Sequence, residues 1–195
     1  MKKLLITGFE PFGGEEINPS WEAVKRLPEE INGYSLEKLL IPVVFGEAAE
    51  RVIGEAEKIC PHAILCIGQA GGRGAITPEL VGINLRYGSI PDNKGNQPND
   101  EPIAAGGDAA YFSSLPARKI ADAIKAEGIP AAVSYSAGAY VCNDVLYTLL
   151  ARYKNTETRV GFIHIPYIPE QNKEPSMSLD EIIKGLILAI ENIDS

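Results

Sequence analysis

Cys142 stands where a thiol is well placed to act as a nucleophile. It follows a strand-like segment, "AAVSYS" (131–136), and begins an apolar helical pattern that runs to residue 153. The first amides of a helix lack intrahelical partners, and the helix dipole is positive at that end, so a thiolate is stabilised there. Such cysteines can reach pKa values of about 3.5–7.5 in place of about 8.5. The same amides could hold an oxyanion during acyl transfer.

His164 lies near the end of a second strand-like segment, residues 159–167. Residues 131–136, a helix over 140–153 and residues 159–167 are predicted to form a βαβ unit with parallel strands, since such crossovers are right-handed. Cys142 and His164 would then share the carboxyl edge of the sheet, where ligand sites of α/β folds collect. A Cys–His pair oriented by a third polar group performs thiol acyl transfer. The alternative is that Cys142 packs under its helix and His164 caps a strand.

The third polar group should be an acid or amide that reaches the outer nitrogen of His164. Glu79 ends the loop "GQAGGRGAITPE", which leaves the carboxyl end of a predicted strand at 63–68. Asp144 is close to Cys142 in sequence, but two helical residues turn about 200°, so its side chain should point away. Spacing alone leaves three further acids open: Asp92, Asp100 and Asp108.

The other cysteines fit structural roles better. Cys66 lies inside the apolar segment "AILCIG", which is typical of a small buried hydrophobe. Cys60 and His62 lie at the opposite, amino end of the predicted sheet and have no second pair of ligands nearby. We therefore expect no metal site.

Two glycine-rich loops have no nucleotide-binding motif. "GFEPFGGE" has Gly14 and Glu15 where a P-loop needs Lys and Ser or Thr. "GQAGGRG" lacks the spacing of a dinucleotide-binding loop, so we expect no cofactor. The first loop instead presents Phe9 and Phe12, which would either plug the loop or line a flat apolar pocket.

Composition excludes several classes of protein. The chain has 18 basic and 26 acidic side chains, a net charge of −8 and no basic cluster, which argues against nucleic-acid binding. No apolar stretch approaches the ~20 residues that cross a bilayer. The N-terminal apolar run stops at Thr7, too soon for a signal peptide. Three cysteines without paired spacing fit a reducing cytoplasm.

Strand-like and helical patterns alternate along the chain. Length and apolar content suit one domain over residues 1–195. The alternation predicts an α/β fold, a mostly parallel twisted sheet with helices on both faces. The predicted strands cover 2–7, 34–45, 63–68, 80–88, 131–136 and 159–167, the helices cover 18–27, 46–59, 116–127, 140–153 and 178–192, and a long polar loop covers 89–114.

Several of these segments, taken together, resemble the pyroglutamyl peptidases, or pyrrolidone-carboxylate peptidases. The resemblance runs in order from residue 4 to about 177. It is carried by "TGFEPFGGEEINPSWEAV", "GQAGGRGAITPE", "IPDNKGNQP", "AYFSSLP", "SAGAYVCN" and "GFIHIPYIPEQ". It implies an α/β cysteine exopeptidase that removes N-terminal pyroglutamate from peptides, often as a homotetramer. An acyltransferase or amidase with the same triad, or a noncatalytic binding module, remains the alternative.

The resemblance also assigns the site residues. It implies Cys142 as nucleophile, His164 as base and Glu79 as orienting acid. The substrate pocket would comprise Phe9 and Phe12 clasping the lactam ring, Gln69 bonding to it, and a wall of Ile90, Tyr140 and Val141. The chain departs from the family pattern at three positions, where Ser89 replaces arginine, Tyr140 replaces phenylalanine, and Val43 replaces threonine.

Overall fold

The computed structural model describes residues 1–195, in which strands and helices alternate. The strands are β1 (Lys2–Phe9), β2 (Glu30–Ile31), β3 (Tyr34–Ile41), β4 (Ala63–Gln69), β5 (Thr77–Pro78), β6 (Val81–Ile83), β7 (Ala110–Phe112) and β8 (Arg159–Ile165). The α-helices are α1 (Pro19–Val24), α2 (Glu47–Ile59), α3 (Ala117–Ala126), α4 (Val141–Tyr153) and α5 (Leu179–Glu191). A 3-10 turn, Pro169–Gln171, follows β8. None of these helices combines the length and the apolar character that a membrane span requires.

The main sheet has six strands in the order β2-β3-β1-β4-β8-β5. The four central strands, β3, β1, β4 and β8, are parallel, whereas β2 and β5 are antiparallel strands at the two ends. β6 and β7 form a separate antiparallel pair. The predicted α/β fold with a mostly parallel sheet is confirmed.

Helices cover both faces of this sheet, as predicted. Alternate residues of a strand point to opposite faces; in β1, Leu4 and Ile6 join one apolar core and Leu5 joins the other. The first core is completed by α1, α3 and α5, and the second by α2 and α4. The second core matters most for the site, because the start of α4 lies on that side.

Two helix starts follow their sequence signals. The side chain of Asn18 accepts a hydrogen bond from the amide of Ser20, and Pro19 occupies the first position of α1. Ser178 and Glu181 form the capping box that begins α5.

The predicted parallel βαβ unit around α4 is wrong. Residues 131–136 make only isolated bridges, Ile76 to Ala131 and Glu79 to Ser134, both parallel to β5. Since β5 is antiparallel to β8, the segment runs opposite to β8. The physical reason is that β5 pairs with β8 in the antiparallel direction and occupies the free edge of β8. Residues 131–136 can then pair only with β5.

The predicted strand at 80–88 is shorter than expected and lies outside the main sheet. Only residues 81–83 form a strand, and they pair with β7, inside the segment predicted as a loop. At the end of this strand, the buried side chain of Asn143 takes the place of a strand partner. It accepts from the Ile83 amide and donates to the carbonyls of Ile83 and Leu85. This contact ties the first turn of α4 to the strand.

Candidate active site

His164 lies on β8 and faces the second core. Its strand neighbours are Gly68 in β4 and Thr77 in β5. The imidazole packs against the ring of Phe162, with ring centroids 4.8 Å apart, and only 3% of the residue is exposed. The ring is therefore held by packing on one side and by hydrogen bonding on the other.

Glu79 is the hydrogen-bonding partner of that imidazole. Glu79 Oε1 lies 2.7 Å from His164 Nδ1 and 2.7 Å from Nη1 of Arg73. Burial opposes ionisation of this carboxyl, but the hydrogen bond from His164, with help from Ser134 and Arg73, holds its pKa below the ordinary value. An ionised carboxylate can only accept, so Nδ1 carries the proton and Nε2 keeps a free lone pair.

The imidazole itself is neutral in this environment. Burial lowers the pKa of His164, and the positive charge of Arg73 acts in the same direction, although Glu79 opposes both. A neutral ring with an open Nε2 is the form that can take a proton from a nucleophile.

Cys142 is the second residue of α4, and its sulfur lies directly over Gly68. A Cβ on Gly68 would come within 3.0 Å of Cys142 Sγ and 2.7 Å of the Phe162 ring, so only glycine leaves room for this approach. The helix is preceded by Tyr140, whose side chain does not cap it. The first-turn amides are thus left without a side-chain partner beside the sulfur.

The expectation of a lowered pKa at Cys142 is wrong. Burial raises the pKa of this thiol to about 12, and the negative charge of Glu79 adds to the effect. No hydrogen bond joins the sulfur to the His164 ring, and the charge of Arg73 and a backbone hydrogen bond lower the pKa without offsetting these effects. Both shifts favour the uncharged forms, a thiol beside a neutral imidazole.

Cys142 and His164 open into one cavity of about 200 Å³. The cavity is lined mainly by apolar side chains and by no carboxylate. Its lining residues are Phe9, Phe12, Asn18, Val43, Gln69, Ala70, Arg73, Ala137, Gly138, Tyr140, Val141, Cys142 and His164. Because an ammonium group would find no counter-charge here and would face Arg73, the cavity suits a neutral ligand.

A family model described as pyroglutamyl peptidase matches residues 2–195. The chain belongs to the pyroglutamyl peptidase family. The pyrrolidone-carboxylate peptidase of Bacillus licheniformis is 51% identical over 194 residues, covering 96% of this chain and 90% of that one. Pyrrolidone-carboxylate peptidase 1 of Streptococcus pneumoniae serotype 4 is 52% identical over 197 residues, covering 98% and 92%. The crystal structure of Bacillus amyloliquefaciens pyroglutamyl peptidase I matches with a TM-score of 0.93 and 51% identity, covering 99% and 97%.

In this member of the pyroglutamyl peptidase family, most of the pocket residues named from the sequence lie together. Phe9, Phe12, Gln69, Tyr140 and Val141 all line the cavity with Cys142 and His164. Val43 lines it too. Ile90 does not: it is 43% exposed, outside the cavity. Ser89, one residue earlier, is also exposed.

Among the acids considered as the third member, only Glu79 contacts His164. Asp144 is fully buried and accepts from the Gly46 amide and, at 2.6 Å, from Nε of Arg86. Asp92 accepts from the backbone of residues 45, 94 and 96 and so closes its own loop. Asp100 and Asp108 are exposed.

The remaining cysteines and the second histidine lie away from the cavity. Cys66 is buried in the second core, and burial raises the pKa of its thiol to about 12. Cys60 is exposed at the end of α2, and His62 Nδ1 accepts from the Lys3 amide. No cluster of three or more His, Cys, Asp and Glu side chains is arranged to hold a metal ion.

Arg73 is a site residue that the sequence analysis missed. Its Nη1 donates to Glu79, Thr77 and Ser134, and its Nη2 donates to the carbonyl of Ser136. It therefore joins the loop after β4 to residues 134–136. In the sequence, Arg73 is a single cation in a glycine-rich loop at the carboxyl end of a strand. Its acidic partner cannot be identified from the sequence.

Proposed function

We propose that the protein is a thiol exopeptidase that removes N-terminal pyroglutamate from peptides. The observation that carries the proposal is the 2.7 Å contact between Glu79 and His164 beside Cys142, at the wall of an apolar cavity without carboxylates. Membership of the pyroglutamyl peptidase family supports it. No separate observation favours an acyltransferase or a binding module.

In the proposed first step, the Cys142 thiol attacks the carbonyl carbon of the pyroglutamyl residue. As the S–C bond forms, His164 Nε2 takes the thiol proton, so the pair becomes charged only during the reaction. The negative Glu79 stabilises the resulting imidazolium, and the amides that begin α4 donate to the oxyanion. The raised pKa of Cys142 favours this coupled proton transfer over attack by a preformed thiolate.

In the proposed second half, the tetrahedral intermediate collapses and the C–N bond breaks. His164 gives its proton to the departing amine, which leaves a pyroglutamyl thioester on Cys142. His164 then removes a proton from water as the water attacks the thioester. Pyroglutamate leaves, the sulfur regains its proton from the imidazolium, and the resting neutral pair is restored.

The pocket accounts for the choice of an N-terminal lactam. Pyroglutamate has no free α-amine, so it carries no positive charge into a cavity that contains Arg73 and no carboxylate. The rings of Phe9 and Phe12 provide apolar surface for the five-membered ring, and Gln69 provides an amide. A prolyl or alanyl N-terminus would bring an unpaired ammonium into the same place.

The test is hydrolysis of fluorogenic amides of pyroglutamate, proline and alanine by the purified protein. We expect turnover of the pyroglutamyl amide alone, abolished by Cys142→Ala. Faster turnover of another acyl group would indicate an amidase or acyltransferase. Binding of 2-pyrrolidone without turnover of any amide would indicate a binding module.

We further propose that residues 1–195 act as one domain and that the protein works in the cytoplasm as a homotetramer. The three free cysteines fit a reducing compartment, and the family resemblance suggests the tetramer. Two exposed aromatic residues, Phe112 (73%) and Tyr135 (63%), are candidates for subunit contacts. Sedimentation equilibrium and cell fractionation test these statements; a monomer at micromolar concentration would contradict the tetramer.

A further inference from the structure

Gln69 lines the cavity, and one end of its side-chain amide is already engaged. Its Oε1 accepts a hydrogen bond of 2.9 Å from Nε2 of Gln171, which follows β8 in the 3-10 turn. Its Nε2 makes no hydrogen bond within the protein and is free to bond to a ligand in the cavity that Gln69 lines. The amide therefore offers a donor, not an acceptor, to a ligand.

The orientation of Gln171 is fixed by two groups whose polarity cannot change. Its Oε1 accepts from the backbone amide of Ile168 at 3.2 Å, and its Nε2 also donates to Oε2 of Glu15 at 3.3 Å. A backbone N–H can only donate, and Glu15, paired with Lys173, is an ionised acceptor. Rotating the Gln171 amide by 180° would place its NH2 group against the Ile168 N–H and its oxygen against the Glu15 carboxylate.

We propose that Gln171 is a positioning residue that sets the polarity of Gln69 and so makes the pocket select for a ring carbonyl. The Ile168 amide and the Glu15 carboxylate fix the orientation of the Gln171 side chain. Gln171 then donates to Gln69 Oε1, which leaves Gln69 Nε2 to donate to the lactam oxygen. This inference rests on the proposed function and adds a specificity determinant outside the cavity lining. A ring that lacks an acceptor at this point leaves the Gln69 donor unpaired.

Two substitutions separate this role from simple packing. In Gln171→Glu, both side-chain oxygens accept, so Gln69 should turn its Nε2 toward position 171 and present Oε1 to the lactam oxygen. The KM for a pyroglutamyl amide and the inhibition constant of 2-pyrrolidone should both rise by about 30-fold, because two acceptors then face each other. In Gln171→Met, which keeps the length but removes the polarity, Gln69 is free to rotate, and both should rise by only about fivefold.

Repulsion between the new carboxylate and Glu15 is controlled by the double variant Glu15→Gln/Gln171→Glu. The loss of ring affinity should persist in it, whereas folding, followed by circular dichroism and Tm, should return to that of Glu15→Gln alone. The double variant also supplies the test if Gln171→Glu does not fold. In each folded variant kcat should fall less than the affinity, since Cys142 and His164 are untouched.

The inference is overturned if the double variant binds 2-pyrrolidone within about threefold of Glu15→Gln, or if Gln171→Met loses as much ring affinity as the folded glutamate variants. Its failure differs from failure of the proposed function. If the wild-type protein does not hydrolyse the pyroglutamyl amide, the function fails. If the wild type is active but the variants do not follow this order, only the role of Gln171 fails.

Discussion

Replacing Glu79 by glutamine keeps the shape of the side chain but removes the charge that stabilises the His164 imidazolium. Glu79 is 1% exposed, and its Oε1 lies 2.7 Å from both His164 and Arg73. A hydrogen bond to a charged group contributes ~1.5–3 kcal/mol and a neutral one ~0.5–1.5, so the contact alone loses ~1–1.5 kcal/mol. The lost Coulomb attraction adds to this; at an effective dielectric constant near 20 it reaches ~4 kcal/mol for a bare pair at ~4 Å.

Arg73 offsets part of that Coulomb energy, because it already neutralises Glu79 in the resting protein. We therefore expect a net loss of ~2–3 kcal/mol of transition-state stabilisation, or a fall of ~30- to 150-fold in kcat/KM. The loss should be smaller than for Cys142→Ala or His164→Ala, since the nucleophile, base and amide donors all remain.

The pH dependence provides an independent readout. The rate should fall as His164 gains a proton, and its pKa is lower than the ordinary value, so the acid limb of the wild type should lie below pH ~6.5. Glu79 raises the pKa of His164. Removing its charge should therefore shift the acid limb to lower pH while the plateau decreases.

The assay is kcat/KM for a pyroglutamyl amide between pH 4 and 9, with folding checked by circular dichroism. Asp108→Asn is the matched control, because Asp108 is an exposed acid that does not contact His164. It should leave both plateau and acid limb unchanged. A folded Glu79→Gln within about threefold of wild type, or with an unshifted acid limb, would refute the reasoning.

Three further predictions concern the thiols and the aromatic pocket. Cys142→Ser should fold and lose nearly all turnover, whereas Cys66→Ser should remain active; retention of more than a few per cent by the former would reassign the nucleophile. Phe9 is buried and packs against Phe162, so Phe9→Ala should cost ~3–5 kcal/mol of stability, measured by urea unfolding. Phe12→Ala should chiefly weaken ring binding, by ~1–3 kcal/mol in kcat/KM; equal stability losses in both variants would contradict this difference. Iodoacetamide at neutral pH should modify exposed Cys60 before Cys142, and 2-pyrrolidone should slow only the labelling of Cys142. Mass mapping that finds Cys142 first would show that its thiol is ionised.

The fold was predictable from local patterns where periodicity and capping residues coincide. Helix α4 spans 141–153 against a prediction of 140–153, and the capping box at Ser178 marks the start of α5. The strand direction at 131–136 was not predictable, because it depends on β5. This two-residue strand, Thr77–Pro78, is too short to leave a periodic signal, yet it separates residues 131–136 from β8.

Most of the residues that meet at the cavity could be named from the sequence, but their electrostatics could not. The parallel βαβ unit that was predicted to bring Cys142 and His164 together is absent, so their proximity has another structural basis, and the family resemblance selected Glu79. A helix start suggested a stabilised thiolate, whereas burial raises the pKa of Cys142 to about 12. Burial depends on which side chains close over the sulfur. The parts played by Arg73 and Gln171 depend on contacts between distant segments, which no local pattern encodes.

Gly68 has no side chain, yet it is among the most constrained positions near the reaction centre. A methyl group there would push on Cys142 Sγ and on Phe162, whose ring supports His164. Gly68→Ala would therefore displace the nucleophile and the base together without removing any polar group from the site. In a saturation library screened for turnover, position 68 should tolerate no substitution, and directed evolution of this pocket should keep it fixed.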